Sequence, residues 1–225
     1  MARKPTSNAW QWSRSAETRR VLLAAARAVF AAHGYDGASI ADVVERAGSS
    51  VGSLYHHFGG KAELFVALWQ DHQDAQEQRV VGAVAKARGE EAAPAQEEAG
   101  GVEETCEEAA AGGGEDLLTL FIEGARAYFD GSWEQRDVAR LFMTGDGPPG
   151  FEMMRRTRSH EWVRQNAVLL GAGADPVDRM TVAILTTIIG EAAREIAASS
   201  SREEANALAD AAVTLIRRLD PLRPA

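Results

Sequence analysis

Residues 39–61 read SIADVVERAGSSVGSLYHHFGGK, and this stretch decides the fold. Its first part places apolar residues three and four positions apart, which is the spacing of one face of a helix. Ser39 precedes this run and Asp42 follows three residues later, the pattern of a helix N-cap with a capping box. Gly48 is expected to end the helix, because glycine adopts the left-handed backbone at a helix end without a Cβ penalty. The stretch therefore predicts a short helix that ends in a tight turn.

A second short helix is predicted directly after the turn AGSS at residues 47–50. We expect it to end at Gly59-Gly60 and to bury four apolar side chains, Val51, Leu54, Tyr55 and Phe58. A longer helix precedes both, with Ser15 as its expected N-cap and Gly34 as its end. Two short helices joined by a tight turn after a longer helix have the dimensions of a helix-turn-helix, whose second short helix enters the major groove of DNA.

The rest of the chain carries the same helical spacing, and no segment alternates as a strand would. Further helices are predicted to start near Lys61 and to cover residues 118–129, 133–144, 152–170, 176–198 and 202–219. We therefore expect an all-α protein with a three-helix helix-turn-helix domain at its N-terminus and a larger helical C-terminal domain.

The charge of the chain is divided between two parts. The whole chain has a net charge of −9, which by itself disfavours phosphate binding. Residues 1–60, however, hold seven basic and four acidic residues, whereas residues 61–225 hold 17 basic and 29 acidic ones. The net charges are therefore +3 and −12. We expect an N-terminal tail at residues 1–14, a DNA-binding domain at residues 15–60 and a regulatory domain at residues 61–225.

A low-complexity segment at about residues 86–114 is rich in Glu, Ala and Gly, and we interpret it as an acidic insertion that has too few apolar groups to form a core. It contains Cys106, the only cysteine, so an intrachain disulfide is impossible and a reducing cytoplasm is expected. No apolar run approaches the about 20 residues that a membrane span needs, and the N-terminus lacks a signal-peptide pattern. The sequence therefore predicts a cytoplasmic protein without a membrane partner.

The block AGSSVGSLYHHFGGK at residues 47–61, with Phe30 and Gly34-Tyr35 before it and Leu64 after it, resembles the N-terminal domain of the TetR family of bacterial transcriptional regulators. The resemblance extends over residues 22–68. It implies a homodimer that binds a near-palindromic double-stranded DNA operator, as a repressor. It also implies a C-terminal domain that binds a small apolar or amphipathic effector, which releases the dimer from DNA.

The resemblance also implies individual DNA contacts. Ser39 and Lys61 match positions that reach phosphates from helix N-termini, where backbone N–H groups also favour an anion. Phosphate contacts are implied as well for Tyr55 and for His56 or His57. Base contacts through hydroxyl or methyl groups are implied for Ser50, Val51 and Ser53. Ser49 departs from the family, which usually has an apolar residue there. The full predicted DNA-binding set is Ser39, Ser49, Ser50, Val51, Gly52, Ser53, Tyr55, His56, His57 and Lys61.

The predicted C-terminal domain supplies two further sets of candidate residues. Aromatic, methionine and arginine side chains could line an effector cavity, and the candidates are Phe121, Tyr128, Phe129, Phe142, Met154, Arg158 and Trp162. The last two helices each carry an apolar stripe that the resemblance assigns to a four-helix dimer interface. Its predicted members are Ile184, Leu185, Ile188, Ala192, Leu208, Ala212 and Leu215.

Other functions have weaker support in the sequence. We expect no enzymatic activity, because the chain contains no HExxH pattern, no phosphate-binding loop and no evident nucleophile–histidine arrangement. No metal or other cofactor is expected either, since the adjacent His56 and His57 point to different faces of a helix. The basic residues near the N-terminus could form an arm in the minor groove or a disordered tail. A DNA-binding regulator that responds to a protein partner, or a helical enzyme, remains the alternative.

Overall fold

A computed structural model describes residues 7–89, 114–143 and 146–219, and at residues 7–14 and 114–116 only the backbone. Within these ranges the chain forms nine helices and no strand, so the all-α prediction is confirmed. The helices are α1 Ser7–Gly37, α2 Ile40–Ala47, α3 Val51–Phe58, α4 Lys61–Ala87, α5 Gly114–Glu134, α6 Arg136–Met143, α7 Phe151–Leu169, α8 Pro176–Ala198 and α9 Arg202–Leu219.

The first helix is longer than predicted. It begins at Ser7, so the expectation that Ser15 caps it is wrong. The preceding proline is Pro5, and residues 7–14 contain neither Pro nor Gly that would stop the helix. Gly34 leaves the helical backbone at φ 68° and ψ 178°, which confirms it as the predicted break. Of the predicted N-terminal tail, residues 1–6 lie outside the described residues.

The chain divides into two compact units. Unit 1 is the chain up to Gln73 together with Arg140–Glu152, and unit 2 is Asp74–Ala139 together with the chain from Met153 onward. Unit 1 is thus larger than the segment of residues 15–60 that we expect to act as the DNA-binding domain.

Unit 1 has an aromatic centre at Phe65, which is fully buried. Its ring meets four neighbouring rings edge to face at centroid distances of 5.0 to 5.4 Å, namely those of Phe30, Tyr35, Phe142 and Phe151. Such edge-to-face pairs add to the stabilisation that burial alone supplies. This centre joins α1 and α4 to Phe142 and Phe151 in one core. α2 packs against α1, and α3 packs against α2.

Unit 2 packs α5 against α8 and α9. Its core includes Phe121, Phe129, Leu185 and Ile216, which are almost completely buried. The helix predicted at residues 133–144 begins later than expected, because α5 continues through Glu134 and α6 starts at Arg136. Most of the predicted acidic insertion, residues 90–113 with Cys106, lies outside the described residues.

Candidate DNA-binding and effector sites

The two short helices are held by caps that the sequence predicts. The Ser39 hydroxyl accepts a hydrogen bond from the Asp42 amide at 3.1 Å, and the Asp42 carboxylate accepts one from the Ser39 amide at 3.2 Å. This reciprocal pair is the predicted capping box. Gly48 ends α2 in the left-handed conformation at φ 57°, and the Ser50 hydroxyl accepts from the Ser53 amide at 3.2 Å to start α3. The turn that aims α3 is therefore fixed by local hydrogen bonds.

One face of α3 is buried and another is open. Leu54 is fully buried, whereas Val51 is 48% exposed and Tyr55 is 52% exposed. The expectation that α3 buries Val51 and Tyr55 is therefore wrong. At about 100° per residue, these two side chains lie about 60° and about 100° around the helix from Leu54. A helix this short buries only the narrow stripe centred on Leu54, so its flank remains in solvent.

The open face of α3 carries four of the ten predicted DNA-binding residues. Val51, Gly52, Tyr55 and His56 are all exposed and lie side by side on it. Ser53 and His57 are half-buried and lie about 100° and about 60° from Leu54 on its other side, away from this face. The structure therefore brings four of the six predicted residues of α3 together on one exposed surface.

Three of the four predicted serines, Ser39, Ser49 and Ser50, differ in the hydrogen bonds that they already make. Ser39 and Ser50 are exposed, and both use a hydroxyl oxygen as a cap acceptor, so each hydroxyl hydrogen is still available to a phosphate or base. Ser49 is half-buried, and its amide donates to the Val44 carbonyl at 2.9 Å to close α2.

Lys61 begins α4 beside the end of α3 and has protein contacts that the sequence does not reveal. Its ammonium nitrogen donates to the Asp36 carbonyl oxygen at 3.2 Å and lies 4.7 Å from the centre of the Tyr35 ring. Burial, and then the negative charges of Asp36 and Glu63, raise the pKa of Tyr35. Lys61 is therefore held in place at the start of α4 by two contacts with the end of α1.

Arg19 is a second cation near α3, and it is not among the residues predicted from the sequence. Its guanidinium carbon lies 5.3 Å from the centre of the Phe58 ring, so α1 contacts the end of α3 through a cation–π interaction. A basic residue and an aromatic ring 39 positions apart give no local signal in the sequence.

In the described part of the chain, no group of three or more His, Cys, Asp or Glu side chains is arranged to hold a metal ion. No helix among the described residues is long and apolar enough to cross a membrane.

The predicted effector-binding residues do not form one group. Phe142 packs against Phe65 in unit 1, whereas the other six belong to unit 2. Phe121 and Phe129 are 2% exposed and lie in the core of that unit, and Met154 is half-buried. The remaining three, Tyr128, Arg158 and Trp162, contact one another or share partners.

Arg158 is the centre of an ion-pair network. Its guanidinium donates to the Glu77 carboxylate at 2.5 Å and to the Glu161 carboxylate at 3.2 Å, and the side chain is 19% exposed. Burial alone would lower the pKa of Arg158, but the hydrogen bonds and charges of Glu77 and Glu161 outweigh it and raise the pKa. The guanidinium therefore remains charged, and it links α7 to α4.

Polar and aromatic groups continue from Arg158 into the interior of unit 2. The Trp162 ring meets the Tyr128 ring edge to face at 4.8 Å. Burial raises the pKa of Tyr128, although the Arg158 charge opposes this effect. The Ser132 hydroxyl donates to the Tyr128 carbonyl at 2.8 Å and accepts from the Gln76 amide nitrogen at 3.3 Å. Gln76 and Ser132 are buried and the other four are half-buried, and we call these six residues the buried polar cluster: Gln76, Glu77, Tyr128, Ser132, Arg158 and Trp162.

Three buried polar atoms of this cluster have no hydrogen-bond partner among the described residues: Gln76 Oε1, Arg158 Nε and Trp162 Nε1. Sequence reasoning predicts Arg158 and Trp162 as candidates, but it missed Gln76, Glu77 and Ser132, because the ion pair joins residues 81 positions apart and the amide pair residues 56 apart.

The predicted dimer residues separate into core and surface positions. Leu185 and Ala212 are buried in the core of unit 2, so a partner cannot reach them. Ile184 is 44% exposed and Leu215 is 51% exposed, and Ile188, Ala192 and Leu208 are half-buried. Further apolar side chains are exposed along the same two helices. We call the exposed set the α8/α9 apolar face: Val177, Met180, Ile184, Leu215 and Leu219.

These features describe a helix-turn-helix protein with a larger helical C-terminal part. Residues 22–68 match the model of the bacterial regulatory proteins of the tetR family. The match confirms the predicted resemblance of residues 22–68 to the N-terminal domain of the TetR family.

Curated relatives match over the same domain. The HTH-type transcriptional repressor AcnR of Corynebacterium efficiens is 47% identical over 51 residues, which are 23% of this chain and 27% of that repressor. The HTH-type transcriptional activator FasR of Mycolicibacterium smegmatis is 45% identical over 58 residues, 26% of each chain. The chain thus spans about a quarter of the length of these relatives.

Solved structures extend the likeness to the whole fold. A TetR-like transcriptional regulator from Rhodococcus sp. RHA1 superposes with a TM-score of 0.60 over 96% of this chain and 97% of that chain. The two sequences are 19% identical, so the similarity concerns the fold alone.

Proposed function

We propose that this protein is a transcriptional repressor that binds a near-palindromic operator as a homodimer and is released from it by a small-molecule effector. The observation that carries the proposal is the open face of α3, where Val51, Gly52, Tyr55 and His56 lie together on a helix that caps at both ends hold in place. Curated relatives of this domain include a repressor, AcnR, and an activator, FasR.

The charge distribution supports DNA binding through the N-terminal part of the chain. The net charge of +3 on residues 1–60 attracts phosphates, and the −12 on the rest of the chain repels them, so DNA is expected to meet the α3 side of unit 1. The face of α3 offers no Arg or Asn for a two-pronged base contact, so we expect DNA shape to contribute to operator choice.

The α8/α9 apolar face supports a homodimer. Val177, Met180 and Ile184 are spaced three and four residues apart on α8, and Leu215 and Leu219 are four apart on α9. α8 and α9 pack against each other and each exposes apolar side chains, so they are suited to pair with the same helices of a second copy, since a two-fold interface uses the same patch twice. Such a dimer would present two α3 helices to two half-sites of an operator.

The buried polar cluster supports effector control. Glu77 lies on α4, whose residues up to Gln73 belong to unit 1. A ligand that changes the Arg158–Glu77 pair would act on α4, and the first part of α4 belongs to unit 1, which also contains α3. A closed cluster that binds nothing would favour the alternative, a regulator that responds to a protein partner.

The test is selection of bound sequences from a random DNA pool by the full chain, followed by affinity measurements at several salt concentrations. We expect a palindromic consensus, and an affinity that falls by about 0.9 log units per log unit of salt for each phosphate contacted. Tyr55→Asp should abolish selection without unfolding the protein, because this side chain is half exposed, whereas Val81→Asp, on an exposed position of α4, should leave it intact. A pool that shows no consensus would refute the proposal.

A further inference from the structure

The buried polar cluster contains two hydrogen-bond donors that have no acceptor. Arg158 Nε and Trp162 Nε1 are both buried and lack a partner among the described residues. Residues four apart on a helix lie on the same face, so both N–H groups belong to one turn of α7. Buried donors without a partner are rare, because each loses its hydrogen bonds to water without compensation. Both donors therefore lack an acceptor that a ligand oxygen would supply.

The third buried atom without a partner, Gln76 Oε1, is not expected to contact a ligand. The Ser132 hydroxyl gives its hydrogen to the Tyr128 carbonyl, so it can only accept from Gln76, and this orients the Gln76 amide. Gln76 Oε1 then lies over Gly131, where an added Cβ would be only 2.0 Å away. The backbone of α5 thus covers this oxygen, and the unpartnered atoms left for a ligand are the two donors.

The charges around these donors limit the kind of acceptor. Arg158 already pairs with two carboxylates, those of Glu77 and Glu161, so these three side chains carry a net charge of −1. A ligand carboxylate would lie near both of these negative charges, and the positive charge that could offset it is already matched. An uncharged oxygen accepts the same hydrogen bonds without this repulsion.

The neighbouring rings indicate the rest of the ligand. The Trp162 ring lies against the Tyr128 ring at 4.8 Å and 65°, and burial keeps the phenol of Tyr128 neutral by raising its pKa. Aromatic surfaces with few fixed polar groups favour an apolar, often aromatic, ligand body.

We propose that the effector is a neutral, largely apolar molecule whose carbonyl or other uncharged oxygen accepts hydrogen bonds from Arg158 Nε and Trp162 Nε1. This inference rests on the proposed function, because it assigns the chemical class of the molecule that controls DNA binding.

The experiment uses three fragments of matched size: acetophenone, benzoate and ethylbenzene. Each is added at millimolar concentration to the full chain without DNA, and the indole N–H resonances are followed by NMR. The resonance of Trp162 is the one that is absent from Trp162→Phe. We expect acetophenone to shift it, and the other two fragments to bind about tenfold more weakly, the ratio expected when a hydrogen bond is lost or a charge is repelled. Trp133→Phe is the control and should bind acetophenone unchanged.

A charge variant tests the reason for the neutral preference. Glu77→Gln removes one of the two carboxylates, so the affinity for benzoate relative to acetophenone should rise by about threefold. The ratio is measured within one variant and does not depend on its stability. Glu161→Gln is the second variant if Glu77→Gln does not fold. Glu134→Gln is the control, because Glu134 pairs with Arg79 and not with Arg158.

Two results would overturn the inference. One is a Trp162 resonance that no fragment shifts and that shows a lasting contact to a buried water. The other is benzoate as the tightest of the three fragments. Failure of the proposed function is distinct: acetophenone would then bind, while the DNA selection would yield no consensus or the fragment would not change DNA affinity.

Discussion

The Lys61 ammonium donates a hydrogen bond to the backbone carbonyl oxygen of Asp36 at 3.2 Å, and so joins the start of α4 to the end of α1. The ammonium has three donors, and two remain after this bond. Because the side chain also covers the Tyr35 ring, its position beside α3 is set before DNA arrives. A cation that is already positioned loses less conformational entropy when it binds a phosphate.

Lys61→Gln should therefore weaken operator binding and reduce its salt dependence. If Lys61 neutralises a phosphate, the slope of log affinity against log salt becomes shallower by about 0.9. Fluorescence anisotropy at four salt concentrations measures the slope. Lys86→Gln, an exposed lysine at the other end of α4, is the control and should leave the slope unchanged. An unaltered slope with Lys61→Gln would mean that this lysine only ties α4 to α1.

Gly52→Ala should change stability and DNA binding in opposite directions. No described atom lies within 4 Å of a Cβ added at Gly52, and alanine favours a helix over glycine by about 0.5 to 1 kcal/mol. The free energy of unfolding should rise by about that amount, whereas the new methyl on the open face of α3 should obstruct the groove and lower operator affinity. Urea unfolding and anisotropy give the two values. Gly82→Ala in α4 should stabilise similarly without affecting DNA, and equal DNA affinity in both variants would contradict the assignment of this face.

Substitutions at Ser39 separate its role as a cap from its role at the phosphate. Ser39→Ala removes the capping box and should cost about 1 kcal/mol of unfolding free energy. Ser39→Asp keeps an equally good cap but places a negative charge at the DNA surface. We expect Ser39→Asp to remain as stable as the parent protein and to lose operator affinity. Retained affinity would show that Ser39 does not approach a phosphate.

Leu215→Asp should convert a dimer into monomers. The side chain is half exposed in the single chain, so aspartate costs little there, but at a dimer interface it would bury an unpaired charge. Sedimentation equilibrium should show the monomer mass, and operator affinity should fall because two half-sites are no longer bound together. Val168→Asp is the control and should stay dimeric, because Val168 is the most exposed of the large apolar side chains among the described residues. A monomer that still binds the operator tightly would contradict the proposed mechanism.

Gly131→Ala should destabilise unit 2. The added Cβ would lie 2.0 Å from Gln76 Oε1, and Gln76 is 1% exposed, so its amide has little room to move away. Overpacking of this kind costs about 1 to 3 kcal/mol. Thermal and urea unfolding measure the loss, with Gly82→Ala again as the position where a methyl meets no described atom. A neutral result would mean that Gln76 can rearrange, and the orientation of the buried polar cluster would change with it.

Local sequence patterns were enough to predict which of the described segments are helical and where several of the helices end. α8 and α9 run over Pro176–Ala198 and Arg202–Leu219, the residues predicted from apolar spacing, and the capping box at Ser39 and the left-handed Gly48 lie where the pattern places them. These features depend on residues three or four positions apart, so they can be recognised without knowledge of the fold. The helix-turn-helix block is local in the same sense.

Tertiary structure alone decided which side of each apolar stripe is buried. Ile184 and Leu185 are adjacent in a stripe that looks uniform, yet one is half exposed and the other is fully buried, because α5 and α9 cover only one side of α8. Tertiary structure also places Phe142 in the core of unit 1, where it packs against Phe65. It likewise brings together Arg158 and Glu77, which are 81 residues apart. Contacts at such separations depend on how helices pack, and apolar spacing along the chain carries no information about the packing partner.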